Sequence, residues 1–328
     1  MSTVFIGTSE FAAAVLERLA RSDAHRPTLV ITRPDRPSGR GRRLTSPPVA
    51  ASAHALGIAL EQPENVNDEQ ARALITAALA QGAARDCDAG DVDAPAPGRE
   101  LDVAGDKRGS VIVCAFGALI KEPLLSEHEL LNVHPSLLPR WRGAAPVERA
   151  IMAGDARTGV SIMRLTAGLD SGPVCLEGDE PIGPGDTYGS LSARLQELGG
   201  ELLVRALDER PAFVEQPEDG VTYAEKLAPA DRLLDPVRPA IELERVVRAL
   251  EPHIGARVAL ADGTLLGVHR AALREERSHG RHAPTERDGR LLLDCTPGVL
   301  ELLVVQPPGG RAMDAAAFLR GHGLSGRR

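Results

Sequence analysis

Six consecutive apolar residues, Val111 to Phe116 (VIVCAF), run directly into Gly117. A strand without a polar face must be covered on both sides, which is the situation of a central strand in a parallel sheet flanked by helices. The rest of the N-terminal half meets that demand. Val4–Gly7 reads as a second short apolar strand, broken at Gly7-Thr8-Ser9, after which Phe11, Val15, Leu16 and Leu19 recur at helical spacing. Thr28–Thr32 and the shorter Ile58–Leu60 read as further strands, and Glu69–Leu79 as an Ala-rich helix. Strands alternating with helices predict an α/β, Rossmann-like doubly wound domain whose ligand lies at the carboxyl ends of the strands. The turns after Gly7 and Phe116 are therefore expected at the site.

The chain has 328 residues, 43% of them hydrophobic, so it is long enough for two cored domains and too apolar for disorder. No run of about 18 apolar residues is present to span a membrane. The first residues lack the basic and long apolar regions of a secretory signal, and a cytoplasmic protein is expected. Cys87, Cys114, Cys175 and Cys295 lie far apart without a CxxC, which suggests neither a disulfide framework nor a zinc site, and no metal is expected. Residues 82–110, rich in Gly, Ala, Pro and Asp and without apolar periodicity, read as a flexible surface insertion. Residues 208–220 read as a linker. Beyond it, Ile241–Leu250 carries an amphipathic pattern, and Val258–Leu260, Leu265–Val268, Leu291–Asp294 and Val299–Gln306 read as short strands between Asp-Gly or Pro-Gly turns. Such punctuation predicts a small OB-like β-barrel over 221–328, following a first domain over 1–207.

Charge is unevenly distributed: the first 225 residues carry −11 and residues 226–328 carry +3. Arg33–Arg43 (RPDRPSGRGRR) holds five arginines among Pro and Gly, an exposed flexible loop suited to phosphate contact or simply a solvated one. Arg270–Arg290 adds six arginines, offset by four carboxylates, and reads as plain surface.

The segment Leu131–Pro146 (LNVHPSLLPRWRGAAP) is the richest in chemistry. Asn132 and His134 are two apart, so in extended chain they share a face. They read either as a buried pair satisfying loop backbone or as groups that hold an oxyanion while a proton moves. Pro135 and Pro139 enforce a shaped loop around Ser136. Trp141, between Arg140 and Arg142, reads as a cation–π feature or as a substrate contact. Asp170, in the turn Gly168-Leu-Asp-Ser-Gly172, is a structural turn residue or a carboxylate that sets the tautomer of His134. The chain contains no GxGxxG after the first strand, no GxxxxGK[ST], no HExxH and no GxSxG.

Taken together, VFIGTSEFA (4–12), RPDRPSGRGRRLTSPPV (33–49), NVHPSLLPRWRGAAP (132–146), AGDARTGVSIMRLTAGLDSG (153–172), VTYAEKL (221–227) and VLELLVVQPPGGRAM (299–313) resemble the methionyl-tRNA formyltransferase family of folate-dependent formyltransferases. The resemblance implies a formyltransferase catalytic domain followed by a C-terminal domain that helps to hold tRNA. It implies transfer of the formyl group of 10-formyltetrahydrofolate to the α-amino group of methionine on initiator Met-tRNA, by a monomer. Carried to matching positions, Asn132, His134 and Asp170 are the catalytic residues, Ser136, Leu137, Leu138 and Pro139 the folate-contacting loop, and Arg36, Arg40, Arg42 and Arg43 the tRNA contacts. Phe116 stands where the family usually has Tyr, and the stretch after Pro252 lacks a usual aromatic residue. The same Asn, His and Asp would also serve a formyltransferase for a sugar nucleotide or glycinamide ribonucleotide, or a formyltetrahydrofolate hydrolase.

Overall fold

The computed structural model describes residues 2–38, 43–88, 109–322 and 324, at 38, 43 and 82–88 by backbone alone. Two compact units interleave along the chain: Met1–Arg142, Gly159–Glu180 and Ala193–Thr222 form the first, and Gly143–Thr158, Pro181–Ser192 and Tyr223–Arg328 the second.

The first unit is built on a seven-stranded sheet. In spatial order its strands are Val174–Pro181, Arg157–Arg164, Glu129–His134, Gly109–Cys114, Ser2–Gly7, Pro27–Ile31 and Ala59–Glu61. The five strands from Glu129–His134 to Ala59–Glu61 pair in parallel, and Arg157–Arg164 joins antiparallel. Ser2–Gly7 and Gly109–Cys114 are buried along their whole length, as the absence of a polar face demands. Val4, Ile6, Leu29, Ile31, Val111, Val113 and Leu130 pack on one side with Ile75 of the helix Glu69–Asp88. The helix Glu10–Ala20 starts where Ser9 accepts the Ala12 N–H, and it buries Phe11, Val15, Leu16 and Leu19. The strand expected at Val111–Phe116 ends instead at Cys114, because Ala115 turns into the left-handed region at φ 41°. At its other end the strand gains Gly109 and Ser110, whose hydroxyl donates to Glu129 at 2.9 Å.

Three further expectations are corrected. The helix expected to stop at Leu79 runs to Asp88, and Ala80, Gln81, Ala83 and Ala84 beyond Leu79 favour helix. The insertion read at 82–110 is therefore helical at its start and extended at its end, and 89–108 lie outside the described residues. The arginine-rich loop is not featureless: Arg36–Ser38 and Arg43–Thr45 pair antiparallel as a hairpin, while Arg40 and Arg42 lie outside the described residues.

In the second unit, an antiparallel sheet runs in the order Ala256–Ala259, Leu265–Arg274, Val299–Gln306, Arg290–Asp294, Thr285–Arg287, with Met313–Asp314 pairing alongside Val299–Gln306. The helix Ala240–Leu250 buries Leu243, Val246, Val247 and Leu250 against Val268, Leu291, Leu300 and Leu302. His253, directly after Pro252, stacks on Tyr188 at 3.7 Å and reaches Glu148 at 3.0 Å. Three of the six arginines of 270–290 are ion-paired: Arg274 meets Glu301, Arg287 meets Asp294 at 2.7 Å and Arg290 meets Glu276 at 2.6 Å. No helix among the described residues is long and apolar enough to cross a membrane.

The turn after the first strand has no spare volume. A Cβ on Gly7 would lie 2.8 Å from the Ala12 Cβ and 2.8 Å from the Cys114 carbonyl oxygen. Gly7→Ala is expected to lower stability by about 1–3 kcal/mol, read as a shift in the denaturant midpoint at unchanged slope.

Candidate active site

The carboxyl ends of the parallel strands come together as the topology requires. Gly7 lies beside Cys114, Val113 beside Asn132, and Asn132 beside Met163. The turns after Gly7 and Cys114 are tied by Thr8, whose hydroxyl donates to the Phe116 carbonyl at 2.9 Å, and the Phe116 ring is buried. His134 ends its strand next to Ser161, and Asn132 lies two residues before it on the same face. Both are buried.

The imidazole of His134 is addressed from two sides. Its Nε2 lies 2.9 Å from the carbonyl oxygen of Trp141, and a carbonyl only accepts, so this nitrogen carries a hydrogen. Its Nδ1 faces Oδ2 of Asp170 at 3.7 Å, an ion-pairing distance longer than a direct hydrogen bond. The structure thus brings Asp170 to His134 across a sequence gap that composition could not bridge. Both residues that address the ring adopt the left-handed conformation, with φ of 64° at Trp141 and 43° at Asp170. Such backbone is uncommon for residues with a Cβ and collects at functional sites.

Asp170 sits in the hairpin between Arg157–Arg164 and Val174–Pro181. The hairpin closes where the Arg164 N–H donates to Pro173 at 2.9 Å. It closes so tightly that a Cβ on Gly172 would fall 2.0 Å from the Arg164 carbonyl oxygen, so only glycine fits there. Gly172 is therefore a steric requirement of the hairpin that presents the carboxylate.

The loop after His134 is held from inside. Ser136 is fully buried, and its hydroxyl donates to the Arg140 carbonyl at 2.6 Å. Ser136 and Leu138 therefore shape the loop, while Leu137 and Pro139 are half-exposed. Ser161 ties this loop to the sheet: its Oγ lies 2.8 Å from the Ser136 carbonyl and 2.8 Å from Glu177, and it accepts the Leu138 N–H at 3.1 Å. Sequence reasoning missed Ser161 and Glu177, which lie inside strands and carry no motif of their own.

Of the two cations flanking Trp141, Arg140 stacks over the ring at 4.4 Å, whereas Arg142 turns away to Gln216. Arg36 is exposed at the base of its hairpin. That base is anchored by Asp35, which accepts from Gln62 at 2.9 Å and Ser46 at 2.8 Å. These bonds hold the Asp35 carboxyl below its ordinary range. Arg33 is spent on the Gly117 carbonyl at 3.1 Å and so joins the hairpin base to the strand ends.

A cavity of about 230 Å³ lies near the opposite end of the Glu129–His134 strand, lined among others by Ser110, Glu129, Arg164, Cys175 and Phe213. Its charges answer one another. Glu129 accepts from Ser110 and faces Arg164 at 3.7 Å, and Arg164 covers the Phe213 ring at 4.1 Å. Burial pushes the Cys175 thiol up to about 11, which removes it as a nucleophile at neutral pH.

Ser161→Ala leaves the Leu138 N–H and one of the two acceptors, the Ser136 carbonyl or Glu177, short of a partner. It is expected to cost about 1–3 kcal/mol, measured by denaturation.

Residues 1–207 match the Formyl transferase family, and residues 226–323 the Formyl transferase C-terminal domain. A methionyl-tRNA formyltransferase of Gluconobacter oxydans is 39% identical, over 98% of this chain and 97% of that protein. A methionyl-tRNA formyltransferase from Clostridium thermocellum shares the fold at 13% identity, with a TM-score of 0.56 over 84% of this chain and 95% of its own. So does an N-formyltransferase from Helicobacter canadensis in complex with folinic acid and dTDP-3-aminofucose, at 15% identity and a TM-score of 0.60, over 92% and 97% of the two chains. With 39% identity to a relative over nearly the full length of both chains and both family domains in order, this chain belongs to the methionyl-tRNA formyltransferase family.

Proposed function

We propose that Asn132, His134 and Asp170 carry formyl transfer from 10-formyltetrahydrofolate to the α-amino group of methionine on initiator Met-tRNA. The observation that supports this reading most directly is the His134 ring, engaged by a carbonyl on one nitrogen and a carboxylate on the other, on the strand face that also bears Asn132. The chain's family uses folate and acts on Met-tRNA. The folate supplies a carbonyl carbon already bonded to a nitrogen leaving group.

Asn132 donates an amide N–H to the carbonyl oxygen as it gains charge, an interaction whose loss typically costs about 2.7–4 kcal/mol of barrier. His134 has Nε2 committed to Trp141, so Nδ1 is the nitrogen through which a proton is taken up or delivered. When the ring is protonated, Asp170 at 3.7 Å supplies the opposing charge, and when the amine must lose its proton the same carboxylate favours the transfer. Leu137 and Pro139 offer the apolar surface for the folate ring, with Ser136 and Leu138 setting the loop's shape. In this reading residues 1–207 catalyse, residues 221–328 help to hold the tRNA, and Arg36, Arg40, Arg42 and Arg43 meet its phosphates. Monomeric action in the cytoplasm belongs to the same reading and rests on the family resemblance alone.

The test is formyl incorporation into methionine charged on initiator tRNA, beside elongator Met-tRNA and tRNA-free controls. Formylation of the initiator alone supports the proposal; folate turnover without tRNA overturns it in favour of a hydrolase. Asn132→Ala, His134→Ala and Asp170→Ala are each expected to lower kcat by about 10²–10³ while folate still binds, as read by equilibrium binding. Replacing the four arginines with Ala is expected to raise KM for tRNA by about tenfold or more and to flatten its salt dependence, with folate KM unchanged.

A further inference from the structure

Both groups that address His134 are suspended from one stretch of chain, residues 210–222, which follows the helix Tyr188–Glu209. Val214 joins this stretch to the sheet by an antiparallel bridge to Val174, with N–H to carbonyl distances of 2.8 and 2.9 Å. Val214 is nevertheless 67% exposed, and Glu215 and Pro217 are exposed, so burial contributes little to ordering this part of the chain.

Polar contacts order it instead. Gln216 Nε2 donates to the carbonyl oxygens of Asp170 at 2.9 Å and Gly172 at 2.7 Å. Gln216 Oε1 accepts from Arg142 Nε at 3.0 Å and Nη2 at 2.7 Å. The amide thereby uses both N–H groups and both lone pairs. Its orientation is forced, because guanidinium only donates and carbonyls only accept, so a flipped amide would oppose like groups at all four contacts. Six residues on, Thr222 Oγ1 accepts the Trp141 N–H at 2.9 Å, and the Thr222 carbonyl accepts the Arg142 N–H at 2.9 Å. Trp141 gives its own carbonyl to His134 Nε2, and Asp170 gives its carboxylate to Nδ1. The two left-handed residues on either side of the ring are thus held by Gln216 and Thr222.

We propose that Gln216 and Thr222 are positioning residues for formyl transfer: through Asp170 and Trp141 they fix which nitrogen of His134 carries hydrogen and how the carboxylate faces the other. The proposal rests on the reading of His134 and Asp170 as catalytic. Neither residue touches a reacting atom, so the loss falls on the chemical step and spares substrate binding.

Gln216→Glu is the discriminating variant in the full-length protein. It keeps the size of the side chain and an oxygen for Arg142, and it replaces both donors to the Asp170 loop with an oxygen that opposes two carbonyls. Gln216→Leu removes all four bonds, Thr222→Val removes only the acceptor for Trp141, and Glu215→Gln on the same stretch is the control. Gln216→Glu, Gln216→Leu and Thr222→Val are each expected to lower kcat by about ten- to a hundredfold, with KM for folate and for Met-tRNA within about twofold of the original and Glu215→Gln unchanged. The ¹⁵N resonances of the His134 ring should move in all three variants and stay in place in the control.

A Gln216→Glu protein with full kcat and an unmoved His134 spectrum overturns the proposal, as does a loss confined to KM or to thermal stability. Should Gln216→Leu not fold, Gln216→Glu and Thr222→Val read the two sides of the ring independently. Failure of the original protein to formylate Met-tRNA would refute the functional reading instead, while the ring resonances still report whether Gln216 and Thr222 set His134.

Discussion

An imidazole can bond in its plane on two sides, and at His134 both are assigned. The carbonyl of Trp141 takes the hydrogen of Nε2, and the carboxylate of Asp170 faces Nδ1. Much of the first unit answers to that arrangement. The ring stands at the end of a parallel strand because two neighbouring apolar strands force the sheet to be covered on both faces. Trp141 can present its carbonyl only after a loop with two prolines has turned the chain back. Asp170 can present its carboxylate only from a hairpin so tight that a glycine must close it. Two residues with unfavourable backbone are tolerated because the surroundings determine them several times over.

The scaffold was legible where a physical demand repeats along the chain. VIVCAF has no polar face, the 11–19 segment has a 3.6-residue period, and Ile241–Leu250 has an apolar stripe; each became the element expected of it, within a few residues. Boundaries shifted where one backbone angle decided them, as at Ala115, or where local propensity outlasted the tertiary pattern, as in the helix running to Asp88. The arginine-rich stretch looked like free loop because Pro and Gly punctuate it, yet Arg36–Ser38 and Arg43–Thr45 pair as a hairpin whose base holds the Asp35, Ser46 and Gln62 contacts.

The site divides in the same way. Asn132 and His134 were readable because both lie on one strand, where a spacing of two has a fixed meaning. The meeting of Asp170 with His134 was readable only through resemblance, since no local pattern encodes a contact between residues 36 apart in the chain. Gln216 left no signal at all. Its neighbours are Glu, Pro and Asp, the composition of a tether, and an amide that spends every hydrogen-bonding group on backbone and guanidinium looks in sequence like any exposed Gln.

The first unit draws its last segment, up to Thr222, from far along the chain, and that makes it hard to divide. Segment 210–222 sits in sequence where a recombination event between relatives would naturally join an N-terminal half to a foreign C-terminal half. Yet Gln216 holds the Asp170 hairpin and Thr222 holds Trp141, so a junction placed before them would import another lineage's supports for this lineage's histidine. Viable chimaeras should therefore be spliced after Thr222. Length changes that loops elsewhere absorb freely should be rare between Val214 and Thr222, where the count of residues separates two anchors that must both arrive in register.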